Sequence, residues 1–151
     1  MKKVQLGRTG RLVSRIGFGG APAGFSDYVD AFDPRSPAGR DALIDAIQTA
    51  ARNGINYFDT APGYGEGWSE AIFGEALAGT PLADLFLATK VGVWKPGDVR
   101  RSLEESLGRL RRNQVDLLQI HGTCYTMEHL ERILRPGGML DQLERLQAEG
   151  L

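Results

Sequence analysis

The chain has 151 residues, 42% of them hydrophobic and 25% charged, with a formal net charge of −1. That is enough for one ordinary domain with a core, and it excludes the basic excess that draws a protein to nucleic acid or to an anionic membrane. No apolar run reaches membrane-spanning length, Met1-Lys2-Lys3 leads into alternating residues rather than a secretory leader, and one cysteine, Cys124, cannot form an internal disulfide, so a cytoplasmic protein is expected.

Residues 3–13 read as a β-hairpin: Val4 and Leu6 alternate with polar residues, and Gly7-Arg8-Thr9-Gly10 supplies the turn. Residues 14–19 read as a first strand running into Gly19-Gly20-Ala21-Pro22, small residues that either make a turn or let a ligand approach the backbone. Residues 25–39 read as a long polar loop. A first helix is expected over 41–53, with Leu43, Ile44, Ile47, Ala50 and Ala51 at helical spacing and Gly54 at its C-terminal cap. Residues 55–59 form the second strand. A second helix starts at Ser69 as N-cap, with Ile72, Phe73, Ala76 and Leu77 on one face and Gly79 ending it. Residues 85–90 form the third strand. A third helix is capped by Asp98, with Val99, Leu103, Leu107 and Leu110 as its buried stripe and Glu105 paired with Arg109. Residues 115–121 form the fourth strand. A helical region over 126–149 breaks at Arg135-Pro136-Gly137-Gly138, because proline lacks the amide and clashes with the preceding turn.

A hairpin followed by four strand–helix units predicts an α/β fold: a parallel (β/α) barrel of TIM type, here about half a barrel. Three of the strands end in a polar group, Asp59, Lys90 and His121, spaced 31 residues apart. That is about one βα unit, so the three should share one rim, the end where such barrels hold their active sites. Tyr64 follows Asp59 on a Pro-Gly loop. An ammonium near a phenol stabilises the phenolate, a carboxylate fixes the lysine, and an imidazole can hydrogen-bond a carbonyl oxygen. This set suits protonation of a developing alkoxide while a hydride arrives at carbon. It holds no strong nucleophile and at most two metal ligands, so no metal site is expected.

Other features carry less. Trp94 could wall a substrate pocket or pack against the third helix. Cys124 reads as an inert thiol, and His129 as an exposed helical residue. Arg100, Arg101, Arg109, Arg111 and Arg112 read as a solvated helix face. Gly17-Phe18-Gly19-Gly20 lacks the full dinucleotide fingerprint.

The chain resembles the aldo-keto reductases. Gly17-Phe18-Gly19-Gly20, Phe58-Asp59-Thr60-Ala61 with Tyr64-Gly65 and Ser69-Glu70, Ala88-Thr89-Lys90-Val91-Gly92, Val99-Arg100-Arg101-Ser102-Leu103 and Val115-Asp116-Leu117-Leu118-Gln119-Ile120-His121 look like that family's motifs, in order. The resemblance implies Asp59, Tyr64, Lys90 and His121 as the catalytic four, with Tyr64 as general acid. It implies a nicotinamide cofactor, NADPH or alternatively NADH, and reduction of an aldehyde or ketone to an alcohol. Cofactor contact is assigned to Gly20, Ala21 and Asp59, and substrate contact to Trp94 and His121. The family's members have about twice this length, so residues 1–151 are read as the N-terminal half of a reductase barrel, with much of the cofactor grip in the other half. The expected partners are a small carbonyl substrate and a second half-barrel or a second copy meeting the open sheet edges. The rival reading is a non-catalytic fragment or an auxiliary subunit of the same fold.

Overall fold

Alternating apolar residues and two turn glycines fold the start of the chain into an antiparallel hairpin of β1 (Lys3–Gln5) and β2 (Leu12–Ser14). The computed structural model describes all residues except 27, 29, 30, 94–97 and 123. After the hairpin comes a four-stranded parallel sheet in sequence order: β3 (Phe18–Gly19), β4 (Tyr57–Asp59), β5 (Phe86–Gly92) and β6 (Leu117–His121). The connections hold α1 (Ala21–Gly24), α2 (Pro37–Arg52), α3 (Trp68–Ala76), α4 (Val99–Leu110), α5 (Met127–Leu134) and α6 (Met139–Ala148). This is the expected hairpin with four βα units, half of an eight-stranded barrel.

The core lies between the sheet and its helices. Phe58, Leu87 and Val91 project from the strands, and Ile47, Phe73, Leu103 and Leu110 meet them from the helices, all 2% exposed or less. Burying each such side chain is worth about 1.5–3 kcal/mol. The α4 stripe is as expected, with Val99, Leu103, Leu107 and Leu110 buried and the Asp98 carboxylate accepting from the Arg101 amide. The other sheet face carries Tyr57 stacked on Phe86, with ring centroids 5.0 Å apart.

The hairpin closes the end of the sheet where the strands begin. Asn56 Oδ1 accepts from the Ser14 amide at 2.6 Å, and Asn56 Nδ2 donates to the Leu12 carbonyl. Arg11 donates to the Leu85 carbonyl and pairs with Asp116, just ahead of β5 and β6. At the opposite end, where the strands stop, lie Asp59 and His121, with Lys90 near the end of β5.

Several boundaries differ from expectation. The first barrel strand is only Phe18–Gly19, because Ser14 belongs to the hairpin. The loop over 25–39 is shorter than predicted: α2 begins at Pro37, with the Ser36 side chain accepting from the Gly39 amide and proline at the first turn. Ser69 is not the N-cap of α3. Gly67 holds that place at a φ of 90°, and Ser69 is buried inside the helix. Arg109 pairs with Glu70 rather than Glu105, and Arg112 donates to the Leu77 and Thr80 carbonyls, so neither is a merely solvated arginine. Among the described residues, no helix is long and apolar enough to cross a membrane.

Candidate active site

Strand register explains how residues far apart in sequence meet. Asp59 lies opposite Ala88, two residues before Lys90; Lys90 lies opposite Gln119, two residues before His121. Side chains alternate faces along a strand, so steps of two keep Asp59, Lys90 and His121 on one face while climbing toward the mouth. Thr89 points to the opposite, helix-covered face.

The three groups and Tyr64 are in contact. Lys90 Nζ lies 2.5 Å from Asp59 Oδ1 and donates to the Thr60 carbonyl at 2.7 Å. The Lys90 side chain is 11% exposed and that of Asp59 26%. Pairing offsets the desolvation of each charge, which alone would cost several kcal/mol, roughly. Lys90 Nζ is 4.9 Å from the centroid of the Tyr64 ring. The Tyr64 and His121 rings meet edge to face at 5.5 Å and 89°. Burial, first, and the Lys90 charge, second, push the His121 pKa below its ordinary 6.5, with Asp59 acting in the other direction. The imidazole is therefore neutral at pH 7 and can both donate and accept. Tyr57, on the same strand as Asp59, has its phenol pushed up by burial and then by the Asp59 charge.

The Tyr64 loop is wedged in place. A Cβ at Gly24 would lie 2.3 Å from the Tyr64 carbonyl carbon, so only glycine lets α1 press against it. The Phe25 ring packs against the Tyr64 ring at 5.9 Å. Beside the loop a cavity of about 690 Å³ is bordered by Pro62, Gly63, Gly92, Ser102, Arg109 and His121.

Gly20, Ala21 and Asp59 also come together, because the Gly20 amide donates to the Asp59 carbonyl oxygen at 2.7 Å. The close approach at Gly20 is made by the protein itself: an added Cβ would lie 2.5 Å from Ser69 Oγ. Trp94 lies outside the described residues. Cys124 is an exposed free thiol. Among the described residues no cluster of three or more acidic, histidine or cysteine groups could hold a metal ion.

Sequence reasoning missed the carboxylate of Glu70 as a working group. It is fully buried and bridges Thr89 Oγ1 at 2.6 Å and Arg109 Nε at 2.7 Å. The signal was present: positions 70, 73 and 77 continue the apolar face of α3, so a charge at 70 had to face inward.

A short parallel sheet thus brings a lysine–carboxylate pair, a phenol and a neutral imidazole together at the ends of its strands. The aldo/keto reductase family model matches residues 15–151, and the chain belongs to that family. It is 39% identical to L-galactose dehydrogenase of Arabidopsis thaliana, over 99% of this chain and 47% of that protein. It is 34% identical to an NADH-specific methylglyoxal reductase of Escherichia coli, over 80% of this chain and 42% of that protein. A solved aldo-keto reductase from Klebsiella pneumoniae in complex with NADPH superposes with a TM-score of 0.62 at 25% identity, covering 83% of this chain and 43% of that one. The chain thus spans less than half the length of these relatives.

Proposed function

We propose that residues 1–151 are the N-terminal half of a reductase barrel domain and carry the proton-transfer groups of an NAD(P)H-dependent carbonyl reductase. The observation that carries this reading is the contact set around Lys90: Asp59 at 2.5 Å, the Tyr64 ring centroid at 4.9 Å, and His121 across that ring. Tyr64 donates its phenolic proton to the oxygen of an aldehyde or ketone as that oxygen becomes an alkoxide. The Lys90 ammonium stabilises the charge left on the phenol oxygen, and Asp59 holds the lysine in place. Neutral His121 donates an N–H to the substrate oxygen and orients it. Burial and the Asp59 charge push the Tyr57 phenol up, which makes it a poorer proton donor for this role.

A nicotinamide cofactor would supply the hydride. The residues fit it in part: Asp59 keeps a quarter of its side chain exposed, while Gly20 is closed off by the protein's own Ser69. NADPH is the first assignment, in line with the Klebsiella complex, and the Escherichia coli relative makes NADH the alternative. A cytosolic location belongs to the same reading, since Cys124 is a free thiol.

The test is turnover. The chain is mixed with NADPH and a reactive aldehyde, with and without a C-terminal half-barrel from a relative, and cofactor oxidation is followed at 340 nm. Tyr64→Phe should remove about 10²–10⁴-fold of the rate. Turnover that survives this change refutes Tyr64 as the donor. One observation favours a second reading, an assembly subunit without its own turnover. The α5 stripe Met127, Leu130 and Leu134 is exposed, and β6 is the edge strand of the four-stranded sheet. Light scattering that finds only monomers at all concentrations, together with turnover, rejects this second reading.

A further inference from the structure

The first turn of α3 is pinned on both sides by buried side chains. Ser69 Oγ donates to the Gly20 carbonyl at 2.8 Å and shares a hydrogen bond with Thr60 Oγ1 at 2.8 Å. On the other side, Glu70 accepts from Thr89, the residue next to Lys90 on β5, and from Arg109 of α4. Arg109 in turn lies over the end of the Tyr64 loop. A Cβ at Gly67 would sit 2.6 Å from its Cδ and Nε. The Ser69 amide donates to the Tyr64 carbonyl at 3.2 Å, which ties the tyrosine's backbone to the helix start. Thr89 and Lys90 are adjacent but face opposite sides of the sheet. One carboxylate on the helix side therefore ties the Tyr64 loop to the strand that presents Lys90 on the mouth side.

We propose that Glu70 is a positioning residue: through Thr89 and Arg109 it fixes the Tyr64 loop against β5 and so sets where the Tyr64 ring stands relative to Lys90 and His121. Its catalytic meaning rests on the reductase reading, but its geometric content does not. A carboxylate suits the task because it accepts from a hydroxyl and a guanidinium at once, with both bonds charge-assisted. Glutamine keeps the Thr89 bond but turns an amide N–H toward Arg109, setting donor against donor.

The sequence holds two histidines, His121 and His129. Their ring carbon–proton signals in the 151-residue chain are separable by NMR, with His129→Gln giving the assignment. Because the Tyr64 ring stands edge to face with His121, its ring current marks the His121 signals, and Tyr64→Leu defines complete loss of that mark. In Glu70→Gln the His121 signals should move at least half of the way to the Tyr64→Leu position, while exposed Glu144→Gln leaves them in place. Glu70→Met/Arg109→Met removes both charges together, which spares the fold the cost of an unpaired buried ion. It should recover most of the melting temperature lost in Glu70→Gln yet keep the displaced His121 signals. A purely stabilising role predicts that the signals return with the melting temperature. That result, or unmoved signals in both folded variants, overturns the proposal. Where turnover is measurable, Glu70→Gln should lower kcat by roughly 10- to 100-fold with a smaller change in KM. Should Tyr64→Phe leave turnover intact, the reductase reading fails while the ring-current result still decides the role of Glu70.

Discussion

Two regions of this molecule are held with very different thoroughness. Around β5 the packing is dense: Phe86, Leu87, Ala88 and Thr89 are all buried, and α3 is fixed by Ser69 and Glu70, neither of which is exposed. Around β6 every strand residue is only half-buried, and α5 buries Ile133 while Met127 is 79% and Leu134 65% exposed. Three of the four site groups, Asp59, Tyr64 and Lys90, stand in the dense region, whereas His121 is delivered by the thinly covered strand. The lysine–carboxylate–phenol arrangement is thus a property of this chain's own core, and the imidazole is the member whose placement depends most on whatever covers β6.

The comparison is broken or sharpened by substitution. Phe73→Ala, in the dense region, should cost about 3–5 kcal/mol in urea unfolding, because the cavity opens against two aromatic rings, Phe18 and Phe58. A loss below 1 kcal/mol, roughly, would mean that region is not the rigid half. Lys90→Met should lower turnover by about 100-fold or more, leaving the Asp59 carboxylate without its ammonium; equal turnover in a steady-state assay would remove Lys90 from the mechanism. Asp98→Ala should cost about 1 kcal/mol by thermal unfolding, since the Arg101 amide loses its cap.

A smaller effect is expected from pH. His121 is held below its ordinary 6.5, so between the lowered folded value and 6.5 the unfolded chain binds more protons than the folded one. Its contribution is complete above 6.5 and is lost as pH falls through that window. His121→Gln should flatten the decline of melting temperature there, and an unchanged slope would contradict the neutral, half-buried imidazole. Smallest of all, Leu134→Ser should change stability by less than about 0.5 kcal/mol. It should also reduce any self-association seen in sedimentation; a large loss of stability would show the α5 stripe to be covered.

Much of this was legible in sequence because strand ends write themselves in residue type. Leu85-Phe86-Leu87-Ala88-Thr89 stopping at Lys90, and an apolar run stopping at His121, mark the rim by residue type alone. The break at Pro136 and the Asp98 cap were local chemistry and came out as expected. What failed was long-range. Ser69 has an N-cap residue's chemistry, but tertiary partners at Gly20 and Thr60 drew it inside the helix. Glu105 is the helical neighbour of Arg109, yet a buried carboxylate from another helix outbids an exposed one, since pairing is worth more where water is excluded. The start of α2 was missed although Ser36-Pro37 is a cap followed by a first-turn proline, because the polar residues around it masked the signal.

Even-numbered offsets between neighbouring strands leave the chemistry exposed to one kind of accident. Deleting a single residue of β5 ahead of Thr89 would turn Lys90 toward the helices, beside Glu70, and turn Thr89 out to the mouth. The buried acid would then hold the ammonium and Asp59 would face a hydroxyl, so a change of one residue in length would leave the phenol with no cation beside it.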